Sequence, residues 1–319
     1  MNKQIMPQMR ILVTDLCDSK CIYCRPTGEG NLQCSTQHFL ALEVAKTVAK
    51  IYQINGGTEI KISGGDPVYW PHLTEYVNYL KKELQFNKVE VITRSTKIFT
   101  ILDELVDAGL DVLNFSFDTT DKEKYTRITG KRDFERFVAT IEDCSLKIYC
   151  KINMVIMRDI NADDWRDMID FCEKVGIRQL KLLDYIDDLS GELNEVDSQS
   201  KYYLPFDNIC MELRNVYGSE KIIYQGGLGH PMNCFSSPNG LDIICKNSKN
   251  GAWYCEECSC CPNYPCHDAL MAVRVTPANS FQLCLLNENK HWYFDELTIE
   301  ERFLEILSIY QNAFFAGEL

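Results

Sequence analysis

Three cysteines near the start of the chain have the spacing of a metal or cluster site. Cys17, Cys21 and Cys24 form a C-x3-C-x2-C motif directly after a run of β-branched residues. Three thiolates so close together can hold three irons of a cubane [4Fe–4S] cluster, and the fourth iron is then open to a small molecule. Zinc is the alternative, because C-x2-C pairs also open structural zinc sites, and the next available ligands would be Cys34 and His38.

A second group of cysteines lies toward the C-terminus. Residues 226–266 are rich in Gly, Asn, Pro, Ser and Cys and show little hydrophobic periodicity, so we expect metal ligation to organise them. Zinc and an iron–sulfur cluster both suit the spacing. The chemically interesting members of the group are Cys255, Cys258, Cys260, Cys261, Cys266 and Cys284.

The bulk composition restricts the class of protein. The chain has 319 residues, of which 45% are apolar and 25% charged, as expected for a globular protein with a buried core. Its net charge of −13 argues against binding to a nucleic-acid polymer, which needs a basic face. Sixteen cysteines, no visible signal peptide and no apolar run long enough for a membrane span together favour a cytoplasmic, metal-binding protein.

Strand and helix patterns alternate over the first part of the chain. The predicted helices cover residues 35–52, 72–84, 98–108, 122–144 (with a break near Gly130) and 162–175. The predicted strands cover residues 10–14, 59–62, 89–93, 112–117, 149–157 and 179–183. Such alternation implies a parallel sheet with right-handed crossovers and active residues at the C-terminal strand ends. Six units of this kind predict a partial (β/α)6 TIM-like barrel.

The pattern changes after the sixth predicted strand. Residues 187–200 are acidic and polar and are typical of a linker, and residues 206–216 have the pattern of a helix. We therefore divide the chain into a barrel over residues 1–190, a cysteine-rich region over 191–298 that closes the open side of the barrel, and a C-terminal amphipathic helix over 299–319.

The cysteine motif after the first strand and Gly64-Gly65-Asp66-Pro67 after the second resemble those of radical S-adenosylmethionine (SAM) enzymes. Within that superfamily the chain resembles the GTP 3′,8-cyclases of molybdenum-cofactor biosynthesis and their relatives with an auxiliary cluster. The segments that carry this closer resemblance are residues 9–26, 59–71, 110–130, 151–162 and 274–285.

The resemblance implies a chemistry and its cofactors. Cys17, Cys21 and Cys24 would hold a [4Fe–4S] cluster, and the amino and carboxylate groups of SAM would bind its open iron. One electron then cleaves SAM and releases a 5′-deoxyadenosyl radical, which abstracts hydrogen from a substrate carbon. The cofactor supplies the difficult step, and the protein supplies placement and exclusion of water. An electron donor of the flavodoxin or ferredoxin type is implied as a partner.

The resemblance also assigns the residues that would contact SAM. It places Tyr23 and Ile186 near the adenine and Ser116 at the ribose or carboxylate. Gly64 and Gly65 would let the backbone approach the methionine end of the cofactor. Asp66 stands where the family usually has glutamate. The alternatives are core packing for Tyr23 and a simple turn for the glycine pair.

Basic positions of the cyclases indicate the substrate. Arg10, Lys151 and Arg274 match the family as they stand, and so does Thr93, whereas Ala272 replaces a second arginine. An ammonium replaces the bidentate arginine fork at two further positions, Lys61 and Lys181. We expect a small polar or anionic substrate, such as a nucleotide. The alternative is that these side chains pair with acidic residues or extend to the surface.

The auxiliary cysteines depart from the cyclase pattern. Counting back from Cys284, two family ligand positions are occupied by His267 and Leu270. We therefore expect the ligands to lie upstream and to close a second [4Fe–4S] cluster for electron transfer or structure: Cys258, Cys261, Cys266 and Cys284. A spare thiol, Cys255 or Cys260, could donate a hydrogen atom to a substrate radical.

Three functions remain open from the sequence. The first is a cyclase-like reaction on a nucleotide or another polar metabolite. The second is epimerisation or dehydrogenation of a sugar-type or peptide precursor. The third is a non-catalytic module that binds zinc or an iron–sulfur cluster. The production of 5′-deoxyadenosine separates the first two from the third.

Overall fold

The computed structural model describes residues 6–24, 39–186, 202–225, 228–266, 268–286, 291–294 and 298–317. Some predicted features therefore lie outside the described residues. These are the zinc candidates Cys34 and His38, the predicted linker 187–200, and His267.

Strands and helices alternate from the first described residues to residue 184, as the hydrophobic pattern predicts. The elements are β1 (Gln8–Leu12), α1 (Leu42–Ile54), β2 (Glu59–Ser63), α2 (Leu73–Asn78), β3 (Lys88–Thr93), α3 (Leu102–Ala108), β4 (Val112–Ser116), α4 (Lys122–Thr129), α5 (Phe134–Ser145), β5 (Tyr149–Ile156), α6 (Trp165–Val175) and β6 (Gln179–Asp184). The six predicted strands are all present.

Local sequence signals explain where these elements form and end. In α1 the buried side chains Ala45, Val48, Ala49 and Tyr52 recur at helical spacing. Buried and partly exposed residues alternate along β5, so that one face of the strand points into the barrel. The break predicted near Gly130 is present, because this glycine ends α4 in a left-handed conformation with φ of 71°.

The remaining elements complete the sheet and cover it. They are α7 (Asp207–Tyr217), β7 (Lys221–Gln225), β8 (His230–Ser236), β9 (Asp242–Lys246), β10 (Ala252–Tyr254), β11 (Ala272–Thr276), β12 (Ser280–Gln282), β13 (His291–Tyr293), α8 (Ile299–Gln311) and β14 (Phe314–Ala316). Strands β10 and β14 pair antiparallel and form a small separate sheet.

Within the described residues, the other strands form one sheet in the order β13-β12-β11-β1-β2-β3-β4-β5-β6-β9-β8-β7. The pairs from β11 through β1 to β6 and on to β9 are all parallel. The predicted partial TIM-like barrel is confirmed. It is extended at both edges by strands from the C-terminal part of the chain.

The structure corrects one expectation for the C-terminal region. Part of the segment predicted to be organised by metal ligation is a regular hairpin, β8–β9, whose strand β9 joins β6. Phe235, Ile243 and Cys245 are buried in the main core. A short strand that is buried on both faces shows no alternation, so its pattern is invisible beside a run of Gly, Asn and Cys.

The sheet also crosses the predicted boundary at residue 190, because β9 and β11 flank the six barrel strands. The C-terminal helix α8 packs on the barrel through an edge-to-face contact between Phe303 and Tyr52 of α1, with ring centroids 6.2 Å apart. Among the described residues, no helix has the length and apolar character needed to cross a bilayer.

Candidate active site

The cysteine motif forms a loop just beyond the C-terminal end of β1. Backbone bonds hold it against the end of α4: Lys20 N donates to Thr129 O at 2.8 Å, and Ile22 N donates to Ile128 O at 2.9 Å. Cys17 and Cys24 are exposed and Cys21 is partly exposed, and none of the three forms a disulfide. The three predicted cluster ligands are therefore thiols outside any disulfide and lie on one loop.

Two glycines after β2 fix this loop from the other side. Gly65 N donates to Thr14 O at 2.6 Å, and Asp66 N donates to Leu16 O at 2.8 Å. A Cβ on Gly64 would lie 2.3 Å from Thr14 O, and a Cβ on Gly65 would lie 2.4 Å from Leu16 O. The glycines are thus required for contact between two backbones, one of which leads directly into Cys17. The sequence suggested a different reason, the approach of a cofactor.

The Asp66 side chain points into the protein. Its carboxylate accepts hydrogen bonds from Thr93 Oγ1 at 2.8 Å, from Arg94 N at 2.8 Å and from Val68 N at 3.2 Å. Burial raises the pKa of Asp66 to about 6, and these hydrogen bonds limit the rise. Asp66 therefore joins the glycine loop to the end of β3.

Tyr23, between two of the cysteines, is anchored by its hydroxyl. The hydroxyl donates to Asp118 Oδ2 at 2.9 Å, and the Arg94 guanidinium contacts both groups. Val155 N donates to the other oxygen of Asp118 at 2.9 Å. Burial raises the pKa of Tyr23 well above its usual value. Its ring lines the barrel cavity, whereas Asp118 and Arg94 were not singled out from the sequence.

The interior of the barrel contains a cavity of about 290 Å³. Alternate residues of each strand face it, as the pleat requires, and examples are Glu90 and Ile92 of β3 and Lys151 and Asn153 of β5. Thr93 follows Ile92 and faces away, where its hydroxyl binds Asp66. This predicted substrate residue is thus outside the cavity lining.

The cavity brings most of the predicted residues together. Its walls include five of the six predicted substrate residues and four of the other predicted site residues, namely Arg10, Lys61, Lys151, Lys181, Arg274, Tyr23, Cys24, Ser116 and Ile186. The strand register places four charged residues side by side on neighbouring strands, in the order Arg274, Arg10, Lys61 and Glu90. Five other predicted site residues lie outside this lining. Two belong to the cysteine loop and three to the glycine loop that contacts it: Cys17, Cys21, Gly64, Gly65 and Asp66.

Carboxylates that the sequence analysis missed balance part of this positive charge. Glu90 Oε2 lies 3.2 Å from Lys151 Nζ, and Glu90 Oε1 lies 3.7 Å from Lys61 Nζ. Asp184 at the end of β6 pairs with Lys246 of β9 at 3.2 Å. Only the adjacency of β6 and β9 brings the last two residues together, so a local pattern could not have identified them.

The second group of cysteines surrounds a separate, smaller cavity of about 40 Å³. All four predicted auxiliary ligands line it, and so does Cys255, whose Sγ lies 3.3 Å from that of Cys258. Cys260 is exposed and is not part of the lining. Among the described residues, neither candidate hydrogen donor, Cys255 or Cys260, lines the barrel cavity.

Asp268 connects the two cavities. This fully buried carboxylate lines the barrel cavity, accepts a hydrogen bond from Leu285 N at 2.7 Å and pairs with Arg274 at 3.5 Å. Leu285 directly follows Cys284, and Leu286 N donates to Cys284 Sγ at 3.3 Å. The cysteine-rich region is thus joined to the wall of the barrel cavity.

The cysteine loop fits a three-thiolate cluster site. Its donors are three thiols outside any disulfide, two of them exposed and one partly exposed, which suits iron–sulfur ligation. Ser19 N donates to Cys17 Sγ at 3.4 Å, so a backbone N–H already points at one of the three sulfur atoms. In the described parts of the chain, no three His, Cys, Asp or Glu side chains are grouped closely enough to hold a single metal ion.

Comparisons with known proteins agree with this geometry. The family model described as "Radical SAM superfamily" matches residues 11–172, about half of the chain. A probable GTP 3′,8-cyclase of Methanothermobacter marburgensis is 26% identical over 291 residues, which cover 90% of this chain and 87% of that protein. A probable GTP 3′,8-cyclase of Pyrococcus abyssi is 28% identical over 214 residues, with 65% of this chain and 67% of that protein covered.

Solved structures show the same fold. The structure of anSMEcpe with bound AdoMet covers 93% of this chain and 80% of its own, with a TM-score of 0.63 at 16% identity. Streptococcus suis SuiB bound to the precursor peptide SuiA gives a TM-score of 0.64 at 13% identity over 93% of this chain and 64% of SuiB. The chain therefore spans somewhat less than two thirds of SuiB, and the likeness is one of fold. With a family match that covers about half of the chain, including the cysteine loop and strands β2 to β5, the chain belongs to the radical SAM superfamily of enzymes, which use a [4Fe–4S] cluster and SAM.

Proposed function

We propose that this enzyme cleaves SAM at a cluster held by Cys17, Cys21 and Cys24 and acts on a small, polar, anionic substrate inside the barrel. One observation carries the proposal: Cys24 and Tyr23 of the cysteine loop line the same cavity as five of the predicted basic side chains. A radical produced at this loop is therefore produced at the mouth of a cationic pocket.

The cluster and the protein would have different roles in the reaction. When bound, the cluster supplies the electron that cleaves SAM into methionine and a 5′-deoxyadenosyl radical. The chain holds the thiol loop rigid through Gly64 and Gly65, and the hydroxyl of Tyr23 is fixed by Asp118. Tyr23, Ser116 and Ile186 line the cavity and would bind SAM there, and the barrel wall keeps bulk water away.

The substrate would bind deeper, among the basic residues. Arg10, Lys61, Lys151, Lys181 and Arg274 surround the same space, in a chain whose overall charge is −13. The similarity to proteins named GTP 3′,8-cyclase supports a nucleotide or a related anionic metabolite. A reductant of the flavodoxin or ferredoxin type would deliver the electron.

An auxiliary [4Fe–4S] cluster would occupy the second cysteine group. Cys258, Cys261, Cys266 and Cys284 are the proposed ligands, and they line one small cavity together with Cys255. Apart from these thiols, the lining is mostly apolar, which suits a cluster sheltered from water. The hydrogen bond from Leu285 N to Asp268 would connect this cluster to the substrate cavity.

Anaerobic reconstitution with iron and sulfide tests the proposal. We expect two clusters per chain and 5′-deoxyadenosine formation with a chemical or flavodoxin reductant. Alanine at Cys17, Cys21 or Cys24 should abolish 5′-deoxyadenosine formation, whereas Cys144→Ala, in the core at α5, should retain it. Bound zinc without 5′-deoxyadenosine, or a loop variant with full activity, would refute the assignment.

The reaction type can be read from the product. We expect the substrate, a nucleotide or another small anionic metabolite, to accelerate SAM cleavage and to be converted in the process. With the reaction run in heavy water, a cyclisation product should carry no solvent deuterium at the carbon that loses hydrogen. Deuterium at that carbon would instead identify an epimerase.

A further inference from the structure

We propose that Glu90 is a specificity-determining residue that makes the cavity select a substrate with one compact anionic group and reject a polyphosphate. The inference deepens the proposed function, because it takes the barrel cavity to be the substrate site. The compact group would be a carboxylate or a phosphate monoester. Glu90 acts by pairing with two of the lysines that a chain of phosphates would need, and its single negative charge cancels half of their combined positive charge.

The geometry fixes Glu90 between these lysines. Its carboxylate lies 3.2 Å from Lys151 Nζ and 3.7 Å from Lys61 Nζ, and Asn114 Nδ2 donates to it at 2.7 Å. Only 1% of the Glu90 side chain is exposed, and all four side chains line the cavity. One carboxylate thus forms ion pairs with two cations at once.

Glu90 remains charged in this setting. Burial alone would raise the pKa of its carboxyl group, but Lys61, Lys151 and the Asn114 amide outweigh it and lower the pKa to about 2. At neutral pH Glu90 therefore contributes one fixed negative charge to the wall of the cavity. A second or third phosphate placed beside it would be repelled at short range.

Other basic side chains of the cavity also form ion pairs. Lys246 pairs with Asp184 at 3.2 Å, and Arg274 pairs with Asp268 at 3.5 Å. Lys181 differs, since the described residues supply it with no ion pair, and burial together with Lys61 and Lys246 lowers its pKa. A single anionic group would supply the missing partner of Lys181.

The sequence points in the same direction. Three of the five basic side chains of the proposed substrate site are lysines: Lys61, Lys151 and Lys181. An ammonium is a compact point charge and lacks the planar fork that binds two phosphate oxygens at once. The lysines and Glu90 together limit the capacity of the cavity for a polyphosphate.

Binding of two inorganic probes tests the proposal without relying on turnover. Titration calorimetry on the reconstituted enzyme with SAM compares orthophosphate with tripolyphosphate. The wild type should favour orthophosphate, and Lys181→Met should weaken orthophosphate binding. Glu90→Gln should tighten tripolyphosphate binding by about tenfold or more, which corresponds to about 1.4 kcal/mol. Glu135→Gln, which removes an exposed carboxylate paired with Lys122, is the matched control.

The outcomes separate this inference from the proposed function. If wild type and variants bind neither anion, the cavity is not an anion site and the proposed function fails. If both anions bind but Glu90→Gln behaves like Glu135→Gln, only the role of Glu90 is refuted. Should Glu90→Gln not fold, the charge-balanced variant Glu90→Gln/Lys151→Gln is compared with Lys151→Gln alone. The double variant should bind tripolyphosphate about tenfold more tightly, and equal affinities would overturn the inference.

Discussion

Replacing Gly65 by alanine tests whether the glycine loop positions the cluster ligands. Gly65 has no side chain to separate its backbone from residues 15–16, which lead into Cys17. The new Cβ would lie 2.4 Å from Leu16 O and 2.6 Å from the carbonyl carbon of Asp15. Backbone atoms cannot rotate out of the way, so one of the two segments has to move.

The expected cost follows from these contacts. Overpacking of this kind destabilises a protein by about 1–3 kcal/mol. The displacement would also break the bonds from Gly65 N to Thr14 O and from Asp66 N to Leu16 O, at about 0.5–1.5 kcal/mol each. We therefore expect a loss of about 2–6 kcal/mol in the free energy of unfolding. A misplacement of about 1 Å at Cys17 should lower the rate of SAM cleavage by roughly 100-fold.

The assay combines iron content, thermal unfolding and 5′-deoxyadenosine formation after anaerobic reconstitution. Gly317→Ala is the matched control, because neither glycine has a left-handed φ and a Cβ on Gly317 would lie 3.8 Å from Phe315, an ordinary contact. The control should resemble the wild type in all three measurements. If Gly65→Ala retained wild-type iron content and activity, backbone contact would not be the reason for this glycine.

Two further predictions concern other parts of the chain. Burial, reinforced by Lys246, lowers the pKa of His230 to about 4 from the usual 6.5, so the unfolded chain takes up this proton first as the pH falls. Stability should thus be unaffected by His230 above pH 6.5 and fall by about 2 kcal/mol between pH 6.5 and 5. Urea unfolding at several pH values should show this loss of stability in the wild type and not in His230→Gln. The same dependence of the free energy of unfolding on pH in both proteins would contradict the prediction. Cys258→Ala should remove about half of the bound iron, whereas Cys260→Ala, at an exposed position, should keep it. Equal iron loss in both variants would exclude the proposed auxiliary ligands.

The sequence predicted the barrel well because its signals are local. Each of the first six strands is a short segment with continuous or alternating apolar residues, separated from the next by a helical pattern, and such patterns need no knowledge of distant residues. The cysteine loop and most of the basic residues were likewise identified from motifs and a family resemblance, and the cavity brings them together.

Two features were not predictable in this way: the carboxylates that pair with the basic residues, and which side of the sheet each side chain faces. In the sequence Glu90 cannot be distinguished from an ordinary strand residue, because only the fold brings Lys61 of β2 and Lys151 of β5 beside it. Thr93 was assigned to the substrate, but the pleat turns it away once Ile92 faces the cavity. Lys246 lies in a segment without periodicity, and only its pairing with β6 brings it to the site.

The strand order has a consequence for how the molecule assembles. The cysteine loop depends on β1, β2 and the end of α4, all of which lie in the first half of the chain. The cavity also needs β9 and β11, and β11 pairs with β1 only after most of the chain has been made, with Arg10 opposite Arg274. Contacts of such high sequence separation form slowly. During synthesis, the loop that receives the cluster can therefore fold before the strands that complete the barrel cavity are in place.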